Sequence, residues 1–162
     1  MFKKNLYLLL FLLNICCAFA QEYSEAWTAY FSYNQITALA EANDKIFAAA
    51  QNSVFSYDLN TNETQLYSTI NGLSGEAISA IHFSKATGIL FVGYTSGVID
   101  VVLPDESVTT LVAIRDKPAI LPSEKMINSF DEHNNTLYIA TGFGISLFDL
   151  SRLEFDDSYF IG

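Results

Sequence analysis

The chain has 162 residues, 51% of them hydrophobic and 14% aromatic, which is too apolar for a disordered polymer and ample for one ordinary domain. Its 18 acidic residues against 8 Lys and Arg give a formal charge of −10, which excludes nucleic acid as a partner because a polyanion is held through basic surface. Both cysteines, Cys16 and Cys17, sit near the N-terminus, so no disulfide framework can hold the rest of the chain.

The order of residues 1–20 is that of a secretory signal peptide: Lys3 and Lys4, an apolar run from Leu6 to Leu13, then small residues ending in Ala18-Phe19-Ala20. Asn14 interrupts the run well short of the roughly 20 apolar residues that span a bilayer. Cleavage after Ala20 is expected, with residues 21–162 exported and carrying no transmembrane helix.

Beyond the leader the apolar residues come in short runs bounded by turn formers, among them Lys45 to Ala50 and Gly88 to Tyr94, and no long stretch repeats at helical spacing. The reading is all-β. Leading strands are expected at Ile36-Thr37-Ala38-Leu39, at Ile78 to Phe83 and at Ile127 to Phe130, each followed by a polar turn. A second strand follows in each case, at Ile46 to Ala49, Leu90 to Gly93 and Leu137 to Ala140. A third begins around Val54, Val98 and Ile145. Fourth strands are placed at Thr64 to Thr69 and Ser107 to Ile114. The third copy is expected to stop short of its own, with Glu154, Asp156 and Asp157 read as a solvated acidic turn.

A period in the mid-forties made only of strands is the length of one four-stranded antiparallel propeller blade. The repeat units span about 36–77, 78–126 and 127–162, the last incomplete, giving about three blades of an incomplete propeller. Open sheet edges in such a piece invite pairing with other chains.

Candidate functional residues are few. His82 is read as a strand residue and His133 as part of an exposed turn, and neither belongs to a zinc-protease, nucleophile-elbow or calcium-loop pattern, so no enzyme activity, metal or cofactor is expected. Asp58 and Asp149 end equivalent strands, which points to a repeated structural task. Gly93, Gly97, Gly142 and Gly144 flank hairpins, where positive φ is the expected reason for glycine. Tyr57, Tyr94, Phe143 and Phe148 recur at repeat positions and are expected to pack blade against blade.

The segment Asn71-Gly72-Leu73-Ser74-Gly75 before Ile78-Ser79-Ala80-Ile81 resembles the blade motif of two-component-regulator propellers. The wider order adds Trp27, Phe31-Ser32-Tyr33-Asn34, Ser53 to Asp58, Gly93 and Tyr94 with Gly97, Gly142 and Gly144 with Ile145, and Tyr159 to Gly162. Together these resemble the N-terminal part of the PorZ family, the β-propeller component of the Bacteroidota type IX secretion system. That resemblance implies a non-catalytic protein of the cell-surface attachment complex at the outer membrane. It implies binding of an anionic lipopolysaccharide and its delivery to a partner sortase. The alternative is a periplasmic polysaccharide-sensing propeller of a hybrid two-component regulator.

Overall fold

The structure, a computed structural model, describes residues 35–161. The expected signal peptide with both cysteines, and Trp27, Phe31-Ser32-Tyr33-Asn34 and Gly162 of the family pattern, lie outside the described residues.

Three four-stranded sheets follow one another along the chain. The first comprises β1 (Ala38–Glu41), β2 (Lys45–Ala49), β3 (Val54–Asp58) and β4 (Thr64–Tyr67). The second comprises β5 (Ile78–Ser84), β6 (Ile89–Tyr94), β7 (Ile99–Val102) and β8 (Val108–Leu111). The third comprises β9 (Ile127–His133), β10 (Thr136–Thr141), β11 (Gly144–Asp149) and β12 (Glu154–Phe160). Each is an antiparallel meander in sequence order, as its short turns require. The first strand of the middle sheet touches the first strand of each neighbour, β5 lying against β1 on one side and β9 on the other. First strands are therefore innermost and fourth strands outermost, the radial plan of propeller blades.

Two expectations need correction. Residues 154–160 are not a solvated turn but β12, which pairs with β11 from Gly144↔Phe160 to Asp149↔Glu154 and completes the third blade. Its acids sit on an outermost strand with solvent beside them, where charge is tolerated. The repeat register also differs. Val54 pairs with Ala49, Ile99 with Gly93 and Ile145 with Ala140, so Ile99, not Val98, is the middle equivalent of Val54 and Ile145. The cause is a hairpin one residue longer, closed where the Tyr94 N–H donates to the Val98 carbonyl, whereas the Ala50 N–H already reaches Ser53 in the first blade. Since side chains alternate across a sheet, a one-residue slip would have assigned every residue of β7 to the wrong face.

Burial follows from the stacking. Every residue of β6 and β7 is buried, because the middle sheet has a neighbour on both faces. In β10 and β11 burial alternates residue by residue, as in a sheet covered on one face. One apolar cluster, including Phe47, Val54, Leu73, Leu90, Val92 and Tyr94, fills the space between blades 1 and 2. A second, including Phe91, Ile99, Ile114, Ile127, Ile139 and Phe148, fills that between blades 2 and 3. Phe91 meets Phe148 edge-on at 5.8 Å between ring centres, and Phe148 meets Phe155 likewise at 5.3 Å. Among the four repeat aromatics, Tyr94, Phe143 and Phe148 are buried, while Tyr57 is exposed and donates its hydroxyl to Asn62 at 2.7 Å.

Candidate functional site

The segment that carries the family motif runs from the outer strand of blade 1 to the inner strand of blade 2, and each of its residues has a separate mechanical role. A single 3-10 turn at Thr69–Asn71 is capped by Ser68, whose hydroxyl accepts from the Ile70 N–H, while the Asn71 side-chain oxygen accepts from the Ser68 N–H at 3.1 Å. Gly72 ends the turn in the left-handed region at φ 100, as a residue without Cβ can do without strain. Leu73 then drops into the blade 1–2 core.

Ser74 reaches the one fully buried acid among the described residues, Asp100. Its backbone N–H donates to Asp100 at 2.6 Å and its hydroxyl at 2.8 Å. The Tyr94 hydroxyl adds a donor at 2.6 Å and the Thr110 hydroxyl another at 2.7 Å. Four donors thus converge on one side chain from the inter-blade linker, β6 and β8. Burial, with the Asp100 hydrogen bond second, raises the Tyr94 phenol far above its usual range, so it remains a donor throughout ordinary pH. Sequence reasoning missed this centre. The available signal was an acid inside the otherwise apolar run Val98-Ile99-Asp100-Val101-Val102.

The hairpin glycines divide into two kinds. Gly97 (φ 87) and Gly144 (φ 142) do adopt positive φ, whereas Gly93 and Gly142 do not, which corrects the uniform turn reading. Gly93 is there for close approach: a Cβ on it would lie 2.7 Å from Ile127 Cγ2 and 2.9 Å from Phe130 Cζ, where β9 packs down on β6. Gly142 is pressed in the same way against the backbone of Glu124.

Asp58 and Asp149 perform the same turn-closing task. The Oδ1 of Asp58 accepts from the N–H groups of Asn60 and Thr61, and that of Asp149 from those of Ser151 and Arg152. The Thr61 and Asn60 amides hold Asp58 below the usual carboxylate range, and the Ser151 hydroxyl with the Arg152 amide and guanidinium holds Asp149 further below it. Asp105 does the like for Ser107. His82 lies in β5 and contacts Glu132 across the blade 2–3 boundary at 3.0 Å, and the Ser84 hydroxyl donates to the other Glu132 oxygen at 3.2 Å. The carboxyl group stands between serine and imidazole, so the imidazole cannot act as base toward that serine. His133 is exposed beside Asn134, and no group of three or more metal-ligating side chains occurs among the described residues. Nor is any described helix long and apolar enough to cross a membrane.

A cavity of 460 Å³ opens between blades 1 and 2 at the end of the sheets that carries the turns after β1, β3, β5 and β7. Its floor is apolar and includes Phe47, Tyr67, Leu90 and Val102, and its rim carries Asn43, Asp44, Lys45, Asp58, Asn60 and Glu106.

A family model described as TSS9, PorZ, N-terminal beta-propeller domain matches residues 46–162. The chain belongs to the PorZ family. Among solved structures it is similar to PorZ of Porphyromonas gingivalis, described as an essential bacterial surface component of the type-IX secretion system, with 26% identity and a TM-score of 0.74. That match covers 82% of this chain and 18% of the other, so the chain spans under a fifth of that relative's length. The extracellular domain of the putative one-component system BT4673 from B. thetaiotaomicron matches at 18% identity and TM-score 0.63, over 83% of this chain and 18% of that one. The RRP9 WD40 repeats match at 12% identity and TM-score 0.64, over 82% and 40%. The latter two likenesses show the fold alone. No curated protein matches the sequence significantly.

Proposed function

We propose that this chain is an exported, non-catalytic propeller portion of a type IX secretion component at the cell surface, presenting its inter-blade turns to protein partners of the attachment complex, the sortase among them. The observation that carries the reading is the family match over residues 46–162, supported by the likeness to a type IX surface component. Delivery of an anionic lipopolysaccharide to the sortase belongs to the same proposal. With a formal charge of −10, this segment gives such a ligand no general electrostatic attraction, so its contribution rests on particular contacts.

The test is affinity capture of outer-membrane extracts on the tagged protein. Recovery of type IX components with the sortase supports the proposal. Recovery of a membrane-bound kinase, or retention of neutral polysaccharide without secretion proteins, would favour the sensor alternative and defeat it.

A further inference from the structure

The two inter-blade spaces among the described residues are built from equivalent positions, yet at the end of the sheets with the turns after β1, β3, β5 and β7 they are filled differently. Aligning the blades by their strand pairs makes Lys45 equivalent to Ile89, Asp58 to Leu103, and Val102 to Phe148. Between blades 2 and 3 these positions hold Ile89, Leu103 and Phe148, all within or against the apolar cluster there, and Phe155 closes on Phe148. Between blades 1 and 2 the same positions hold a cation, an acid and a small valine, and the space remains as the 460 Å³ cavity, within the roughly 300–1,000 Å³ range of ligand pockets. A repeat that fills one space and polarises its equivalent has specialised the second.

The chemistry of the lining selects the occupant. Three carboxyl groups, Asp44, Asp58 and Glu106, stand over an apolar floor with Lys45 as the one cation in the lining. Asp58 is held as a ready carboxylate by its two backbone donors. An anion would meet net repulsion here, and a wholly apolar group would make no use of the charged rim. A long aliphatic stem ending in a positive charge satisfies both parts, its methylenes on the floor and its head among the acids. We propose that the cavity between blades 1 and 2 receives a lysine or arginine side chain of a protein partner. The inference goes beyond the secretion assignment and does not require it.

The test is titration of the isotope-labelled full chain with the probe acetyl-Leu-Arg-Leu-amide, followed by amide chemical shifts. Saturable shifts confined to the turns at 43–45, 60–61 and 104–106 are expected, with the glutamate analogue of the probe binding at least about tenfold more weakly, as charge selectivity of this kind requires. Val102→Phe, which installs the blade 3 residue and closes the floor, should abolish the response. The pair Asp44→Asn with Glu106→Gln leaves the cavity open and the fold undisturbed, and should weaken the response about fivefold or more. Equal shifts from the glutamate analogue, an unsaturable response, shifts elsewhere on the protein, no response at all, or full binding by the charge-neutralised pair would each overturn the proposal. Glucose moving the same amides in place of the arginine probe would overturn it as well.

Discussion

Exchanging Asp100 for alanine removes both acceptor oxygens from a side chain on which four donors converge. The Ser74 and Thr110 hydroxyls lie at partly exposed residues and can turn to water. The Ser74 N–H and the Tyr94 hydroxyl cannot: the first is fixed by the backbone, and Tyr94 is fully buried. Both donate to the same oxygen, Oδ2, so they lose their acceptor together, and each buried unsatisfied group costs about 1–3 kcal/mol. The loss should therefore be about 2–6 kcal/mol, a large share of the 5–15 kcal/mol that holds a typical domain, whereas asparagine, whose one oxygen can take the Oδ2 position with its NH2 toward the two hydroxyls, should cost far less. Tyr94→Phe removes one donor and leaves Asp100 three, so it should cost only about 1–2 kcal/mol. Urea unfolding of the wild type, both single variants and Asp100→Ala with Tyr94→Phe forms a double-mutant cycle. The double variant should cost at least about 1 kcal/mol less than the sum of the singles, because the orphaned hydroxyl is gone. Strict additivity, or an Asp100→Ala chain as stable as wild type, would refute the claim that these bonds join linker, β6 and β8 as one unit.

Further outcomes follow from the same packing. Gly93→Val should destabilise by about 1–3 kcal/mol or more in urea unfolding, through overlap with Ile127 and Phe130, although its backbone angles suit valine. Phe91→Ala, at a fully buried ring between blades 2 and 3, should cost about 3–5 kcal/mol, while Tyr57→Ala on the exposed face should cost less than about 1. Asp58, Asp105 and Asp149 are all held below their ordinary values, so each binds protons less readily folded than unfolded. Their stabilisation is complete above about pH 4 and is lost as pH falls below it. At the other end Tyr67 and Tyr94 are raised, chiefly by burial, so their contribution holds below about pH 10 and is lost as pH rises beyond it. Thermal midpoints across pH should therefore form a plateau between these limits, and an acid limb that begins near neutrality would contradict the assignment.

The blade repeat was legible because each strand is a short apolar run closed by a polar turn, a pattern that survives in a single sequence. Two local signals misled. The hairpin from Tyr94 to Val98 is one residue longer than its equivalents, and similar residues at Val98 and Ile99 hide the slip. In β12 the run Glu154-Phe155-Asp156-Asp157 looks like a turn because an outermost strand needs little apolar surface, and only its pairing with β11 gives it away. Asp100 stands out as an acid in an apolar run, but its role needed the fold, because Ser74, its principal partner, lies 26 residues away. The cavity could not be read from composition either, since it arises from a difference between equivalent positions that only the corrected register aligns.

The most direct test of the account is the fate of secretion cargo when the gene that encodes this chain is disrupted and then restored. If the proposed function holds, proteins that the type IX system secretes fail to appear on the cell surface in the disrupted strain and return on restoration. Secreted proteins displayed normally without the gene would contradict the proposed function.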